Sequence, residues 1–296
     1  MAYKSGFVAV IGKPNVGKSS LVNALVGEKV SITSPKAQTT RNRIFGIKNT
    51  DDYQMIFVDT PGVQHTKTKL GEYMDKATSG ATADVDAIVI VLDALRIGQE
   101  DYQIIERFEN VKCPIFVVIN KIETTNFEKM YPILAKLNEY KFIKKFITTS
   151  AHRKVNIEEL EEELALCLPE GQPFYPTDQY TDKSLRFMCQ EIIREKALLF
   201  LQEEIPHGIA IDINTFEEYD ELIKIDANIV TENERHKSII IGSNGSKLKQ
   251  IGIAARADIE QLTGDKVVLE LFVKVKKDWK DDITTLVDLG FSKKDL

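Results

Sequence analysis

"GFVAVIGKPNVGKSSLVNALVG", from Gly6 to Gly27, decides the fold. An apolar run too short for a helix leads into a loop bounded by Gly12 and Gly17, and an amphipathic helical pattern follows. Its centre, Gly12–Ser19, fits G-x-x-x-x-G-K-[ST], in the strand–loop–helix setting this pattern requires. The residue types match a phosphate-binding task. Without side chains at Gly12 and Gly17 the backbone turns, so that Gly12, Lys13, Pro14, Asn15, Val16, Gly17, Lys18, Ser19 and Ser20 surround a polyanion with successive amides facing it. Lys18 carries the charge that reaches the β- and γ-oxygens, and the Ser19 hydroxyl suits magnesium.

Working outward, four more short apolar runs follow: Tyr53–Asp59, Asp86–Asp93, Pro114–Asn120 and Lys145–Ala151. They alternate with helical patterns such as "DYQIIERFEN" and "VNIEELEEELALCL". That alternation predicts a mostly parallel sheet with helices on both faces, an α/β fold whose ligands bind beyond the carboxyl ends of the strands. Two motifs stand at those ends. "DTPG" supplies Asp59, able to hold magnesium through water, then Thr60, Pro61 and Gly62, whose amide can meet a γ-phosphate. "NKIE" supplies Asn120, Lys121, Ile122 and Glu123.

The proline-rich stretch 171–183 has no periodicity and is expected to link residues 1–170 to a second domain, 184–296. There Leu185, Met188, Ile192 and Leu199 mark a helix. "GIAIDIN" and "LIKIDANIV" read as strands, and Val267, Leu269, Leu271, Val273 and Val275 share one face of a last strand.

A chain of 296 residues with 43% hydrophobic and 28% charged content suits a globular protein of two ordinary domains. "AIVIVL" is far too short to cross a bilayer, and "MAYKSGF" lacks the apolar core of a signal peptide. Cys113, Cys167 and Cys189 have no metal spacing and read as reduced packing residues. The net charge of −6 argues against broad nucleic-acid affinity. Yet the window Arg235–Ala257 holds Arg235, Lys237, Lys247, Lys249 and Arg256 with no acid.

"NKIE" and "TSAHRKVN" (Thr149–Asn156) resemble the guanine-recognition segments of Ras-like GTPases. The resemblance implies that Asn120 meets the guanine edge, that the Lys121 stem lies along the ring, and that Ser150 and Ala151 bring a backbone amide to the guanine oxygen. Where that family has an aspartate to take two base N–H protons, Glu123 stands, one methylene longer. With "KAQTTRNRIFGI" (Lys36–Ile47) the resemblance narrows to the Era family, over essentially the whole length. Gln38, Thr39, Thr40, Arg41 and Asn42 then form the first switch, with Thr40 favoured over Thr39 as the residue that closes on magnesium, and Asp59–Gln64 form the second segment that triphosphate orders, the second switch. The sequence alone also allows Lys36, Arg41 and Arg43 to be a solvated basic loop. Val63 occupies the place of the water-positioning glutamine and has no polar atom for that work. Hydrolysis therefore falls to Lys18, Thr40, Gly62 and magnesium, the metal being held by Ser19, Thr40 and Asp59. Asn15 resembles the asparagine of potassium-assisted relatives; its other reading is a turn stabiliser.

Gly242-Ser243-Asn244-Gly245 matches the GXXG loop of a KH module. The order helix, strand, strand, helix–loop–helix, strand fits the second KH topology, an α+β fold. Such a loop lets about four nucleotides of single-stranded RNA pass closely over it. Arg235, His236, Lys237, Ser246, Lys247 and Lys249 complete the expected RNA-binding set, although Ser243 and Asn244 replace the lysine and further glycine usual in Era relatives.

The resemblance implies a GTP-driven switch that binds the 3′ end of 16S ribosomal RNA during assembly of the 30S subunit. It also implies a cytoplasmic protein with peripheral inner-membrane association; the sequence leaves the oligomeric state open, a monomer being favoured. Two other readings use the same residues: an RNA or membrane-surface adaptor with little hydrolysis, and an ATPase. "KVKKDWK" (Lys274–Lys280) is basic enough for a membrane surface but reads more simply as a strand end that packs Trp279.

Overall fold

The computed structural model describes residues 2–36, 38–62, 68–82 and 84–292. The expectations for Val63 and for Gln64, the end of the second switch, lie outside them. The chain divides into two compact units, with the principal change at Asp182/Lys183.

The first unit is a six-stranded sheet. Its strands are β1 (Lys4–Ile11), β2 (Ile44–Asn49), β3 (Tyr53–Asp59), β4 (Ala87–Asp93), β5 (Ile115–Asn120) and β6 (Ile143–Thr148), in the order β2-β3-β1-β4-β5-β6. All neighbours are parallel except β2, which runs antiparallel to β3. The helices α1 (Lys18–Val26), α2 (Lys69–Gly80), α3 (Gln99–Glu106), α4 (Phe127–Leu137) and α5 (Ile157–Ala165) alternate with the strands. Strands buried on both faces read as continuous apolar runs, and here each face has its own core. Val10, Phe57, Val89 and Val118 pack with Leu21 and Leu25 of α1 and Leu160 and Leu164 of α5. On the other face Ile11, Ile90 and Ile119 pack with Ile105 of α3 and Leu137 of α4. The carboxyl ends of five parallel strands therefore share one edge, and the order reverses at β1, where such sheets bind ligands.

The stretch expected as a linker lies along this unit up to Asp182. The Gly171 amide donates to Tyr3 (3.0 Å), Phe174 and Tyr175 amides donate to Gln54 Oε1 (2.7 and 2.9 Å), and the Ile47 amide donates to Tyr180 (2.9 Å). Asp182 Oδ1 accepts from the Phe45 amide at 2.8 Å.

The second unit runs α6 (Leu185–Phe200), β7 (Ala210–Tyr219), β8 (Leu222–Thr231), α7 (Glu234–Ile241), α8 (Ser246–Thr263), β9 (Lys266–Val275) and a short α9 (Ile283–Asp288). Its sheet is β7-β8-β9, with β7 antiparallel and β9 parallel to β8. Ser184 caps α6 through the Phe187 amide, and Asn233 caps α7 through the His236 amide. The alternation in β9 is as expected: Val267 is buried while Val268 and Phe272 are exposed. Leu199 is 48% exposed, whereas Leu198 and Leu201 are buried, so the packed face of α6 turns away from Leu199 in the last turn. Trp279 is fully buried beyond the end of β9, its Nε1 donating to Gly208 O at 3.2 Å. Among the described residues no helix is long and apolar enough to cross a membrane.

Candidate functional site

Every loop singled out in the first half of the sequence lies at the carboxyl edge of the six-stranded sheet. The loop between β1 and α1 is held from within. Lys18, 6% exposed, donates from Nζ to the carbonyls of Gly12 (3.1 Å) and Lys13 (2.9 Å). Burial pulls its ammonium down to about 8, with the nearby Asp59 charge opposing. A buried cation on two carbonyls at the mouth of an amide-lined loop is poised to receive an anion.

Beside it, Ser19 Oγ donates to Asp59 Oδ2 at 2.7 Å and lies 2.8 Å from Thr40 Oγ1. The three residues expected to bind magnesium thus touch one another, and Thr40, the favoured threonine, is the one in contact. Asp59 is fully buried, and burial pushes its carboxyl upward while the Ser19 hydrogen bond and Lys18 pull it down. Its Oδ1 has no hydrogen-bond partner. An unsatisfied buried carboxylate oxygen beside two hydroxyls is a hard-oxygen donor set, which fits magnesium completed by phosphate and water. Among the described residues no group of three His, Cys, Asp or Glu side chains gathers as a metal cage. Arg41 is 2% exposed, so the solvated-loop reading does not describe it, whereas Arg43 is exposed over the Phe45 ring. Thr60 Oγ1 donates to Val10 O (2.9 Å), Pro61 O accepts from Thr78, and Gly62 lies against Pro14.

The third side of the site is built on β5 and β6. Asn120 Nδ2 donates to Val16 O (3.1 Å), and its Oδ1 accepts the Ala151 amide (3.0 Å). Lys121 donates to Asn15 O and pairs with Asp93 at 2.8 Å. Ile122 and Glu123 lie in a single 3₁₀ turn, where Glu123 Oε2 is buried with no hydrogen-bond partner. That leaves a carboxylate oxygen at the position expected to take base N–H protons. Ser150 Oγ accepts the Arg153 amide, shaping the turn that presents Ala151.

In the second unit Gly242 and Gly245 both have φ of 73°, on either side of exposed Ser243 and Asn244. A side chain at Gly242 would strike Lys247, whereas one at Gly245 would enter open space. Both positions hold the left-handed backbone that favours glycine, and at Gly242 the neighbouring Lys247 also excludes a side chain. A groove of about 330 Å³ begins there, lined by Gly245, Leu248, Lys249, Gly252, Ile253 and Arg256 of α8 and by Leu269 and Leu271 of β9. Arg235, His236 and Lys237 lie on α7 and do not line it.

Sequence reasoning missed several supporting residues. Asn23 clamps the chain that follows α1 on its way to the first switch, its Oδ1 accepting the Val30 and Ser31 amides (both 3.0 Å). Asp93 and Asp101 hold Lys121 and Lys13. The apolar groove residues were legible only as helix and strand packing.

Residues 7–121 match the family described as 50S ribosome-binding GTPase, and residues 204–280 match the KH domain family. The chain is 43% identical to GTPase Era of Alkaliphilus metalliredigens, over 98% of this chain and 100% of that one. It is 46% identical to GTPase Era of Clostridium kluyveri, over 97% and 99%. The chain belongs to the Era GTPase family. Solved Era structures agree in fold. A variant of Aquifex aeolicus Era bound to GDP.AlF4- superposes with a TM-score of 0.93 at 38% identity, covering 98% of this chain and 99% of that one. Era in complex with MgGDPNP and nucleotides 1506–1542 of 16S ribosomal RNA gives the same values. The six-stranded unit thus corresponds to the GTPase part of an Era fold, and the unit that holds the groove at Gly245 to its KH part.

Proposed function

We propose that the chain is a GTP-hydrolysing switch that grips the 3′ end of 16S ribosomal RNA through residues 184–296 and acts in assembly of the 30S subunit. The observation that carries this reading is the contact of Ser19, Asp59 and Thr40 beside Lys18. It joins the phosphate loop, the end of β3 and the first switch at one point. The solved Era complex with MgGDPNP and 16S ribosomal RNA supports both ligands.

On this reading Lys18 exchanges its two carbonyl partners for β- and γ-oxygens, and the loop amides take the remaining phosphate charge. Magnesium, held by Ser19, Thr40 and Asp59, would neutralise charge on the β- and γ-oxygens. Asn120 meets the guanine edge from a side chain fixed at both ends, and Glu123 Oε2 receives base N–H protons. Thr40 and the Gly62 amide report the γ-phosphate, ordering the switches. Valine at position 63 offers no polar atom to orient water, so unaided turnover is slow. A potassium ion near Asn15 belongs to this reading. So do a cytoplasmic monomer and its peripheral contact with the inner membrane.

Competition of GTP against ATP, hydrolysis with and without the RNA 3′ end, and two variants test the proposal. Lys18→Ala should lose nucleotide and keep RNA, and Gly245→Asp should do the reverse. GTP hydrolysis unmoved by saturating RNA would refute the coupling. Failure to bind guanosine phosphates at millimolar concentration would refute the whole reading. Glu123 and Val63 favour the adaptor alternative, which predicts no product in a single-turnover assay with magnesium.

A further inference from the structure

Lys13 entered the site through its backbone, but its side chain has a partner of its own. Its ammonium lies 2.6 Å from Asp101 Oδ2 and 3.5 Å from Arg96 O. Asp101, third residue of α3, is 1% exposed, and the same Oδ2 accepts the Gly98 amide at 2.9 Å. Its other oxygen, Oδ1, is buried with no hydrogen-bond partner. Glu100 is also near the ammonium, at 3.9 Å, but is 80% exposed and screened.

Asp101 could cap α3 through Gly98 alone. A carboxylate withdrawn from water nonetheless needs a counter-ion, and losing that partner is costly. Here the counter-ion is the second residue of the phosphate loop, whose own carbonyl receives Lys18 Nζ at 2.9 Å. The buried charge therefore pins the loop backbone at the carbonyl on which Lys18 rests.

We propose that Asp101 is a positioning residue for the nucleotide, acting through Lys13 on the phosphate-loop backbone. The inference rests on the nucleotide reading above. The tether acts on the loop as a whole and makes no distinction at the γ-phosphate. Losing it should therefore weaken diphosphate and triphosphate alike, raising KM while kcat changes little.

The test measures affinity for GDP and for a non-hydrolysable GTP analogue, together with thermal stability and steady-state hydrolysis, on the full chain and three variants. K13M should weaken both nucleotides by about tenfold or more, with their ratio unchanged, the size expected for a lost charge-assisted hydrogen bond. K13M/D101N removes the stranded charge, so it should regain stability and stay weak in binding. K13R keeps a cation for the buried carboxylate, so it should bind both nucleotides more tightly than K13M. The proposal is overturned if K13M binds GDP within about twofold of the unaltered chain. It is equally overturned if binding returns with stability in the double variant, since the pair would then serve only α3. An unaltered chain that binds neither nucleotide would instead bring down the nucleotide reading, and this inference with it.

Discussion

Asn120 is expected to hold the first unit together before any nucleotide arrives. Its side chain is 1% exposed and joins the phosphate loop to the loop after β6 through Val16 O at 3.1 Å, the Ala151 amide at 3.0 Å and the Thr149 hydroxyl at 3.4 Å. Val16 and Ala151 are themselves 2% and 8% exposed, so water does not readily replace the lost partner. Asn120→Ala leaves one buried carbonyl and one buried amide unsatisfied, at ~1–3 kcal/mol each, or about 4 kcal/mol as a central value for the pair. For a unit of this size ~1 kcal/mol moves the melting midpoint by ~2–4 °C, so the expected loss is about 8–16 °C. Calorimetry of the full chain without nucleotide is the assay, following the transition that GDP raises in the unaltered protein, because a ligand stabilises the unit that binds it. A midpoint within about 2 °C of the unaltered chain would refute the argument, since Asn120 would then serve only the base.

Lys18 gives a pH prediction. Its ammonium is pulled down to about 8 from the ordinary 10.5, so between those values the unfolded chain binds the proton and the folded one does not. Stability of the first unit should accordingly rise with pH through that window, and phosphate binding should restore the proton. At pH 8.5 nucleotide binding should take up a measurable fraction of a proton, more than at pH 7, as read by titration calorimetry in two buffers of different ionisation enthalpy. No uptake at pH 8.5 would mean that Lys18 is already charged. Gly62→Ala tests the closeness of the second switch, because the added methyl would lie 2.7 Å from Pro14 N and 2.8 Å from Pro14 Cα. Backbone cannot yield as a flexible side chain does, so hydrolysis should fall while GDP affinity holds. Unchanged hydrolysis would show that the two segments separate in the working state.

Much of the site was legible because its chemistry is tied to the ends of regular elements. Ser19 opens a helix and Asp59 closes a strand, so two short motifs and an alternating apolar pattern place them on one edge. Thr40 was harder, lying in a loop without periodicity, and only its burial against Ser19 separates it from Thr39. What escaped was structure made by backbone. In β2 the apolar positions are broken by Gly46 and Lys48, and the strand runs antiparallel inside a stretch that reads as a basic loop. The stretch 171–182 is held by scattered backbone bonds and by single side chains such as Gln54 and Asp182, which leave no periodic pattern in the sequence. Lys13 and Asp101 are 88 positions apart, a separation at which one ion pair has no sequence signature.

The chain from Tyr175 to Asp182 does one thing more by lying on β2. It covers what would otherwise be a bare outer strand, and an unpaired strand invites other chains to add to it. Cutting the protein at residue 170 to isolate the first unit would strip that cover and expose an adhesive rim, whereas a fragment carried through Asp182 keeps it sealed. Solubility of the isolated unit thus depends on a dozen residues that look dispensable.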